Sequence, residues 1–409
     1  MTIFVSIAAY RDRDLIPTIE DCIARARWPG ELRFGVCWQH DADEVRPPRL
    51  AGKRMRLIDV PWRESQGACW ARAELMKLYD GEDYFLQLDS HHRFEQDWDA
   101  LLLADLEASS AARPLLTTYG TPFDPALAPP PGQPTDILFC NFRPDGTPSV
   151  MCRLRPDLAG QRRPARARFL SAHLLFAPGR FITDVPYDPE LYFHGEEITL
   201  AIRAFTHGYD LFHPSRHILW HQEPRRVTPL HWDDHVAEQG FRRTAAERDA
   251  ASLAKVGRFL REQPVGALAC GPDRSFGEYE AYAGLRFLRR QADAAARRGI
   301  EPAPAAPPRA ALRTWRVRIG LDRAQLSPAA LQDARFWYVG MHDENDVEIA
   351  RADADHGEVR RSIAAANGEI VIERECVSVR PPARWTIWPV DRHGRWLERL
   401  SGPVAGLPA

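Results

Sequence analysis

Three short stretches gather the residue types that bind metal ions or move protons: Asp89-Ser90-His91-His92, His194-Gly195-Glu196-Glu197, and the spaced histidines His213, His217 and His221. Asp89 and His91 are two apart, directly after the apolar run Tyr84–Leu88. On a strand or tight turn that spacing points both side chains to one side. A carboxylate and an imidazole can then share one ion, a pairing that suits Mn²⁺ or a similar divalent metal able to neutralise a departing diphosphate. The bland alternative makes Asp89 a cap and leaves the histidines on a surface loop. Position favours the metal, because ligands of open α/β sheets bind beyond the carboxyl ends of strands.

Glu196 and Glu197 precede the run Ile198–Phe205, which reads as a short helix. The helix dipole alone accounts for negative charge at such a start. The functional reading has one glutamate orient sugar or acceptor hydroxyls, or accept a proton, since adjacent carboxylates push their pKa values apart. His213, His217 and His221 are four apart, yet Pro214 and the run Ile218–Trp220 indicate a turn and then a strand. They are therefore taken singly: His221, at the strand end, is the candidate third metal ligand, and the other two are packing residues.

These groups need a scaffold, and the first 120 residues alternate short apolar runs with amphipathic stretches as βα units do. Strands are expected over Thr2–Ile7, Leu32–Trp38, Met55–Val60, Tyr84–Leu88 and Leu115–Tyr119, with helices over Leu15–Ala26 and Ala68–Leu78. Pro122–Pro134 is too rich in proline for either and reads as a surface loop. Ile137–Phe142 and His173–Phe176 return to strand character and build an acceptor side. Ala245–Arg298 carries apolar residues at helical spacing among charges and should be helical.

Glu301–Arg309 is nearly all proline and alanine, a composition that gives an extended spacer. Beyond it, short alternating runs over Thr314–Ile319, Arg335–Met341, Glu369–Glu373 and Trp385–Val390 suggest a small β-sandwich. The expected organisation is a catalytic α/β domain over 1–240, a helical extension over 241–300, a linker over 301–310 and a β-rich accessory domain over 311–409.

A net charge of −2 excludes the basic bias of a chain that holds nucleic acid through its phosphates. The densest basic run, Arg162–Arg168, reads as a solvated loop. No run of about twenty apolar residues offers a membrane span, and no secretion signal is visible at the start, so the cytoplasm is the expected address. Seven scattered cysteines, with no C-x-x-C spacing, read as reduced.

Four motifs in order carry a resemblance: Phe4-Val-Ser-Ile-Ala-Ala-Tyr-Arg-Asp, Leu86-Gln-Leu-Asp-Ser-His-His-Arg-Phe, Val185-Pro-Tyr-Asp-Pro-Glu-Leu-Tyr-Phe-His-Gly-Glu-Glu, and His221. Over roughly residues 3 to 290 the chain resembles the N-acetylglucosaminyltransferases that modify hydroxyproline on a cytoplasmic ubiquitin-ligase adaptor. That resemblance implies a GT-A fold, a UDP-N-acetylglucosamine donor, a hydroxyl acceptor on a protein or peptide, a divalent metal (Mn²⁺ or Mg²⁺), and retention of configuration as in the similar polypeptide N-acetylgalactosaminyltransferases. It makes Asp89 and His91 the metal pair with His221 third, and Glu196 and Glu197 the acidic pair near donor sugar and acceptor. It also implies that Ala8, Ala9, Tyr10 and Arg11 cradle the uridine. Gln39 and Asp41 lie at the next strand end, and Arg72, in Gly67-Ala-Cys-Trp-Ala-Arg, together with Asp89, faces the donor. The plain readings are that Arg11 pairs with Asp12 or Asp14, and that Arg72 is a solvated helix residue.

Residues 310–409 depart from this pattern. They hold Trp315, Trp337, Trp385, Trp388 and Trp396, which suit either a carbohydrate or peptide platform or the core of a small β-domain. Two other functions compete: a zinc hydrolase using Asp89, His91, His92 and later histidines with Glu197 as base, which lacks the usual H-E-x-x-H run, and a nucleotide-sugar-binding module without turnover.

Overall fold

The computed structural model describes residues 1–404 apart from 159, 162, 224–227, 263–265, 309–312, 366–368 and 379. The chain forms two compact units, Met1–Pro308 and Arg309–Ala409.

The first unit opens with β1 (Ile3–Tyr10), α1 (Leu15–Arg25), β2 (Leu32–His40), β3 (Met55–Pro61), α2 (Ala68–Met76) and β4 (Tyr84–Asp89). It continues through β5 (His92–Phe94), α3 (Trp98–Ala108), β6 (Pro114–Thr118), β7 (Thr121–Phe123), β8 (Thr135–Phe142), β9 (Pro148–Leu154), β10 (Ala165–Arg166) and β11 (Leu174–Pro178). Then come α4 (Phe181–Asp184), α5 (Glu196–Thr206), β12 (Asp210–His213), β13 (Leu219–Gln222), α6 (His231–Asp234), α7 (Ala245–Glu262), α8 (Phe276–Ala283), β14 (Leu285–Arg286), β15 (Gln291–Ala292) and α9 (Ala294–Arg298).

Eight strands form a mixed sheet in the order β10-β12-β6-β11-β4-β1-β2-β3, so the expected α/β class is the observed one. β1 is parallel to both β2 and β4, whereas β11 runs antiparallel between β4 and β6. The chain moves outward from β1 to β3 and returns to the other side of β1 with β4. The strand order therefore reverses beside β1, and the crevice such a reversal opens lies beyond the carboxyl ends of β1 and β4.

Alternation along β1 supplies both layers. Ile3, Val5, Ile7 and Ala9 face a core shared with Leu15, Ile19 and Cys22 of α1 and Trp98 and Leu102 of α3. Phe4 faces the opposite layer, stacked on Phe85, where α5 buries Ile198, Ile202 and Phe205. Each such side chain contributes about 1.5–3 kcal/mol on burial, which anchors the helix whose first turn carries Glu196 and Glu197. A three-stranded sheet, β5-β13-β7, sets His221 opposite His92 in antiparallel register.

Four expectations need correction. Pro122 lies within β7, which tolerates it as an edge strand of the small sheet. The 245–298 stretch is not wholly helical: α8 ends at Gly284, whose φ of 67° suits a residue without a side chain, and the hairpin β14–β15 follows. Residues 301–308 are no spacer. Glu301 pairs with Arg163 and Arg166, Pro302 and Pro308 are buried, and the Ala306 carbonyl accepts from Arg274. Of the basic run's described arginines, Arg163 is half exposed but paired with Glu301, Arg166 also pairs with Glu301, and Arg168 is buried and donates to the Ala283 carbonyl, so the stretch is more than a solvated loop.

The second unit pairs β16 (Arg313–Asp322) with β20 (Glu369–Ser378). A second sheet contains β17 (Ala334–His342), β18 (Glu348–Arg351), β19 (Ala354–Asp355), β21 (Arg384–Asp391) and β22 (Leu400–Pro403). Helices α10 (Pro328–Asp333) and α11 (His356–Ala365) accompany them. Inward-facing Val317, Ile319, Ile370 and Ile372 meet Trp337, Val339 and Ile387 in one core. Trp337 is thus a core residue, whereas Trp396 is 48% exposed and lies 4.6 Å from the Trp388 ring.

Among the described residues no helix is long and apolar enough to cross a membrane. All seven cysteines are free.

Candidate functional site

A cavity of about 390 Å³ opens at the predicted place, beyond β1 and β4. β1 lends Ala8 and Tyr10, β2 Gln39, β4 Asp89, α2 Arg72, α5 Glu196 and Glu197, and β13 His221. Gly67 lets the start of α2 approach this wall: its φ is 109°, and a Cβ there would stand 2.5 Å from the Tyr192 ring. Gly195 does the same for α5, with φ 92° and Val256 at 2.5 Å from a built Cβ, so α5 can begin at the glutamate pair.

The strand end of β4 and the small sheet bring one ligand atom each of Asp89, His91 and His221 within 4.8 Å of one another. His91 Nε2 and His221 Nε2 are 2.9 Å apart, and His221 Nε2 lies 3.8 Å from Asp89 Oδ2. Behind them, buried Asp12 accepts hydrogen bonds from Ser90 Oγ at 2.7 Å and His91 Nδ1 at 2.8 Å. A carboxylate can only accept, so the His91 proton sits on Nδ1 and its Nε2 lone pair faces the group. This carboxylate–histidine arrangement is how metal-ligating imidazoles are held. One carboxylate oxygen with two imidazole nitrogens fits Mn²⁺, and Mg²⁺ less closely. Burial opposes ionisation of Asp89, but Arg72 and the surrounding imidazoles outweigh it and hold the carboxyl well below its usual range. Asp89 is therefore present as the anion a cation requires.

Arg72 is not solvated and does not face the cavity as a free cation. It is buried, donating from one terminal nitrogen to Asp89 at 2.8 Å and from the other to Glu196 at 3.0 Å. It thereby ties the metal-side carboxylate to the first turn of α5. Burial raises the Glu196 carboxyl, opposed by Arg72. Burial, then the charge of Glu196, push the carboxyl of its neighbour Glu197 up to about 8, against weaker pulls from the Ala172 amide and Arg72. Both carboxyls are therefore raised, and Glu197 Oε1 accepts from the Ala172 amide at 2.8 Å.

Of the expected donor-binding residues, Ala8, Tyr10, Gln39, Arg72 and Asp89 line the cavity and Ala9, Arg11 and Asp41 do not. Strand alternation turns Ala9 into the core. Arg11 pairs with Asp41 at 3.1 Å and with Asp234 of α6 at 2.8 Å, and Asp234 also accepts from the Tyr10 hydroxyl at 3.0 Å. Its partner is therefore neither Asp12 nor Asp14. Of the other histidines, His213 Nδ1 donates to the Thr117 carbonyl and His217 meets Glu95, both away from the cation group.

Sequence reasoning placed His92 at this centre only in the zinc-hydrolase reading, put His173 on an acceptor-side strand, and gave Asp12 no role beyond pairing with Arg11. His173 stacks on His221 at 3.8 Å, and His92 lies 5.1 Å from the His221 ring. The adjacent histidine after Asp89-Ser90-His91 was a usable signal for His92. Nothing local marks His173. Tyr119, Phe193 and Trp232 complete an aromatic part of the wall.

Among solved structures, GalNAc-T7 with UDP, GalNAc and Mn²⁺ superposes with a TM-score of 0.46 at 14% identity, covering 69% of this chain and 50% of that one. Residues 1–349 of S. aureus TarS in complex with UDP-GlcNAc give 0.42 at 11% identity, covering 71% of this chain and 72% of that one. This chain thus spans half the length of the first of these proteins. No curated protein matches it by sequence. The family model Glycosyltransferase (GlcNAc) matches residues 2–51 and 44–285, most of the first unit and more than half of the chain, and the protein belongs to that family.

Proposed function

We propose that the chain transfers a sugar, N-acetylglucosamine, from UDP-N-acetylglucosamine to a hydroxyl acceptor on a protein or peptide, with retention of configuration, in the cytoplasm. The observation that carries this is the convergence of Asp89, His91 and His221 at the strand-order reversal, facing Glu197 across one cavity in a chain of a glycosyltransferase family. The sheet arrangement is the one a GT-A domain would use. A hydroxyproline-bearing acceptor is the narrowest form of the reading and comes from the motif resemblance.

A divalent cation bound by Asp89, His91 and His221, Mn²⁺ or Mg²⁺, would supply positive charge against the diphosphate of the departing UDP. Asp12 fixes the His91 tautomer and ring orientation. Arg72 keeps Asp89 ionised and fixes its distance to α5. Ala8 gives the nucleotide a flat approach at the end of β1, beside Gln39, whose amide is locked by Ser65 at 2.6 Å and the Ala9 carbonyl at 3.2 Å. Glu197, protonated below about pH 8, can donate a hydrogen bond to a sugar or acceptor oxygen while its other oxygen stays on Ala172. Glu196 serves as the partner of Arg72. Catalysis in this reading comes from orientation and charge placement rather than from a strong base.

The test is UDP release from UDP-N-acetylglucosamine with Mn²⁺, alone and with hydroxyl-bearing peptides. The reading expects slow release that peptides accelerate and a chelator stops. Tight donor binding with no release under any acceptor would make the chain a binding module.

A further inference from the structure

His221 belongs to two groups of potential ligands. Besides Asp89 and His91, it converges with His92 and His173, whose ligand atoms also lie within 4.8 Å of one another. The second group is all nitrogen. His92 is fully buried; its Nδ1 donates to the Asp89 carbonyl at 3.1 Å, which leaves Nε2 as the lone-pair nitrogen. That Nε2 is buried with no hydrogen-bond partner, and so is Nδ1 of His173. An imidazole locked by a carbonyl on one nitrogen and left bare on the other, beside two more imidazoles, is a ligand arrangement and a costly core residue.

We propose that His92, His173 and His221 form a second cation site that takes Zn²⁺ in preference to Mn²⁺ and competes with the Asp89 site because both need His221. Three neutral imidazoles are a donor set for zinc, whereas the carboxylate of the first group is what a harder cation requires. Around tetrahedral zinc, with bonds of 2.0–2.1 Å, donor atoms stand about 3.4 Å apart, so the group closes by roughly an ångström. His173 supplies that movement: it is partly exposed at the cavity wall, and its ring meets those of His221, Tyr119 and His92. The same exposure gives the ion its path in and leaves the fourth position open to the cavity. Zinc bound there withdraws His221 from the Asp89 site, so Zn²⁺ acts as an inhibitor of whatever the first cation supports.

The experiment uses the full chain stripped of metal and needs no turnover. Zn²⁺ affinity is read by competition with a chromophoric chelator and Mn²⁺ affinity by the paramagnetic resonance of the free ion, in wild type, His173→Phe and Asp89→Asn. His173→Phe keeps a ring on His221; circular dichroism establishes that both variants are folded. The proposal expects Zn²⁺ affinity to fall at least tenfold in His173→Phe and to hold in Asp89→Asn, with the reverse pattern for Mn²⁺. Zn²⁺ should release bound Mn²⁺ from wild type at concentrations at least tenfold lower than from His173→Phe, where only direct competition at the Asp89 site remains. Equal loss of Zn²⁺ affinity in the two variants, or Mn²⁺ retained beside bound Zn²⁺, overturns it.

Discussion

Glu197→Gln should make the protein more stable at neutral pH and not at pH 4.5. The carboxyl is raised from 4.5 to about 8 by burial and by Glu196. In the unfolded chain it ionises above 4.5, while in the folded protein it keeps its proton to about 8. The folded state thus binds the extra proton between those values, and stability falls as pH rises through that window. Each pH unit is worth about 1.4 kcal/mol, so by pH 7 the penalty is about 3 kcal/mol, or about half of that once solvent at the cavity wall screens it. Glutamine carries no charge, keeps an oxygen for the Ala172 amide, and avoids the penalty. A gain of about 1.5 kcal/mol in a domain this large raises Tm by roughly 3 °C. The assay is thermal melting in chelator at pH 4.5, 7 and 8.5, where the Tm difference should grow with pH and level off above 8. A difference independent of pH, or a variant less stable than wild type at pH 8.5, refutes the protonation assignment and with it the hydrogen-bond donor role.

Three further outcomes follow from named contacts. Asp12→Asn can donate to His91 Nδ1 and so move the proton to Nε2, which should weaken Mn²⁺ about 10–100-fold; unchanged affinity by paramagnetic resonance would show that Asp12 does not set the tautomer. Arg72→Met leaves the Asp89 and Glu196 carboxylates buried without their cation and should destabilise the first unit by about 3–5 kcal/mol in denaturant titration; a loss under 1 kcal/mol would mean that water replaces it. Trp337→Ala removes a fully buried ring from the second unit's core and should cost about 3–5 kcal/mol there; a small loss would favour a binding role for this tryptophan.

The strands that frame the cavity were legible because their signals are local. β1 and β4 are short apolar runs that end in polar residues, and period-two alternation, applied strictly, also predicts that Ala9 turns away from Ala8 and Tyr10. Asp89, His91 and His221 could be nominated for the same reason, as polar residues at strand ends. What could not be read were partnerships across the chain. Arg72 meets carboxylates 17 and 124 residues away, and Asp12 meets a histidine 79 residues on. Arg11 looked able to reach Asp12 or Asp14, and only the fold decides that Asp41 and Asp234 take it. The proline-rich stretch after Glu301 was misread because composition reports stiffness but not the side chains it meets, here Arg163, Arg166 and Arg274. The hairpin at Leu285–Ala292 hid inside a helical spacing that Gly284 interrupts.

The central claim is that Asp89, His91 and His221 hold a cation on which the donor diphosphate depends. Calorimetric titration of UDP-N-acetylglucosamine, with UDP as control, into the full chain in Mn²⁺ and then in chelator tests it most directly, repeated with Asp89→Asn. Binding in Mn²⁺ that disappears in chelator and in the variant is the predicted result. Binding of equal strength in all three conditions would contradict the claim.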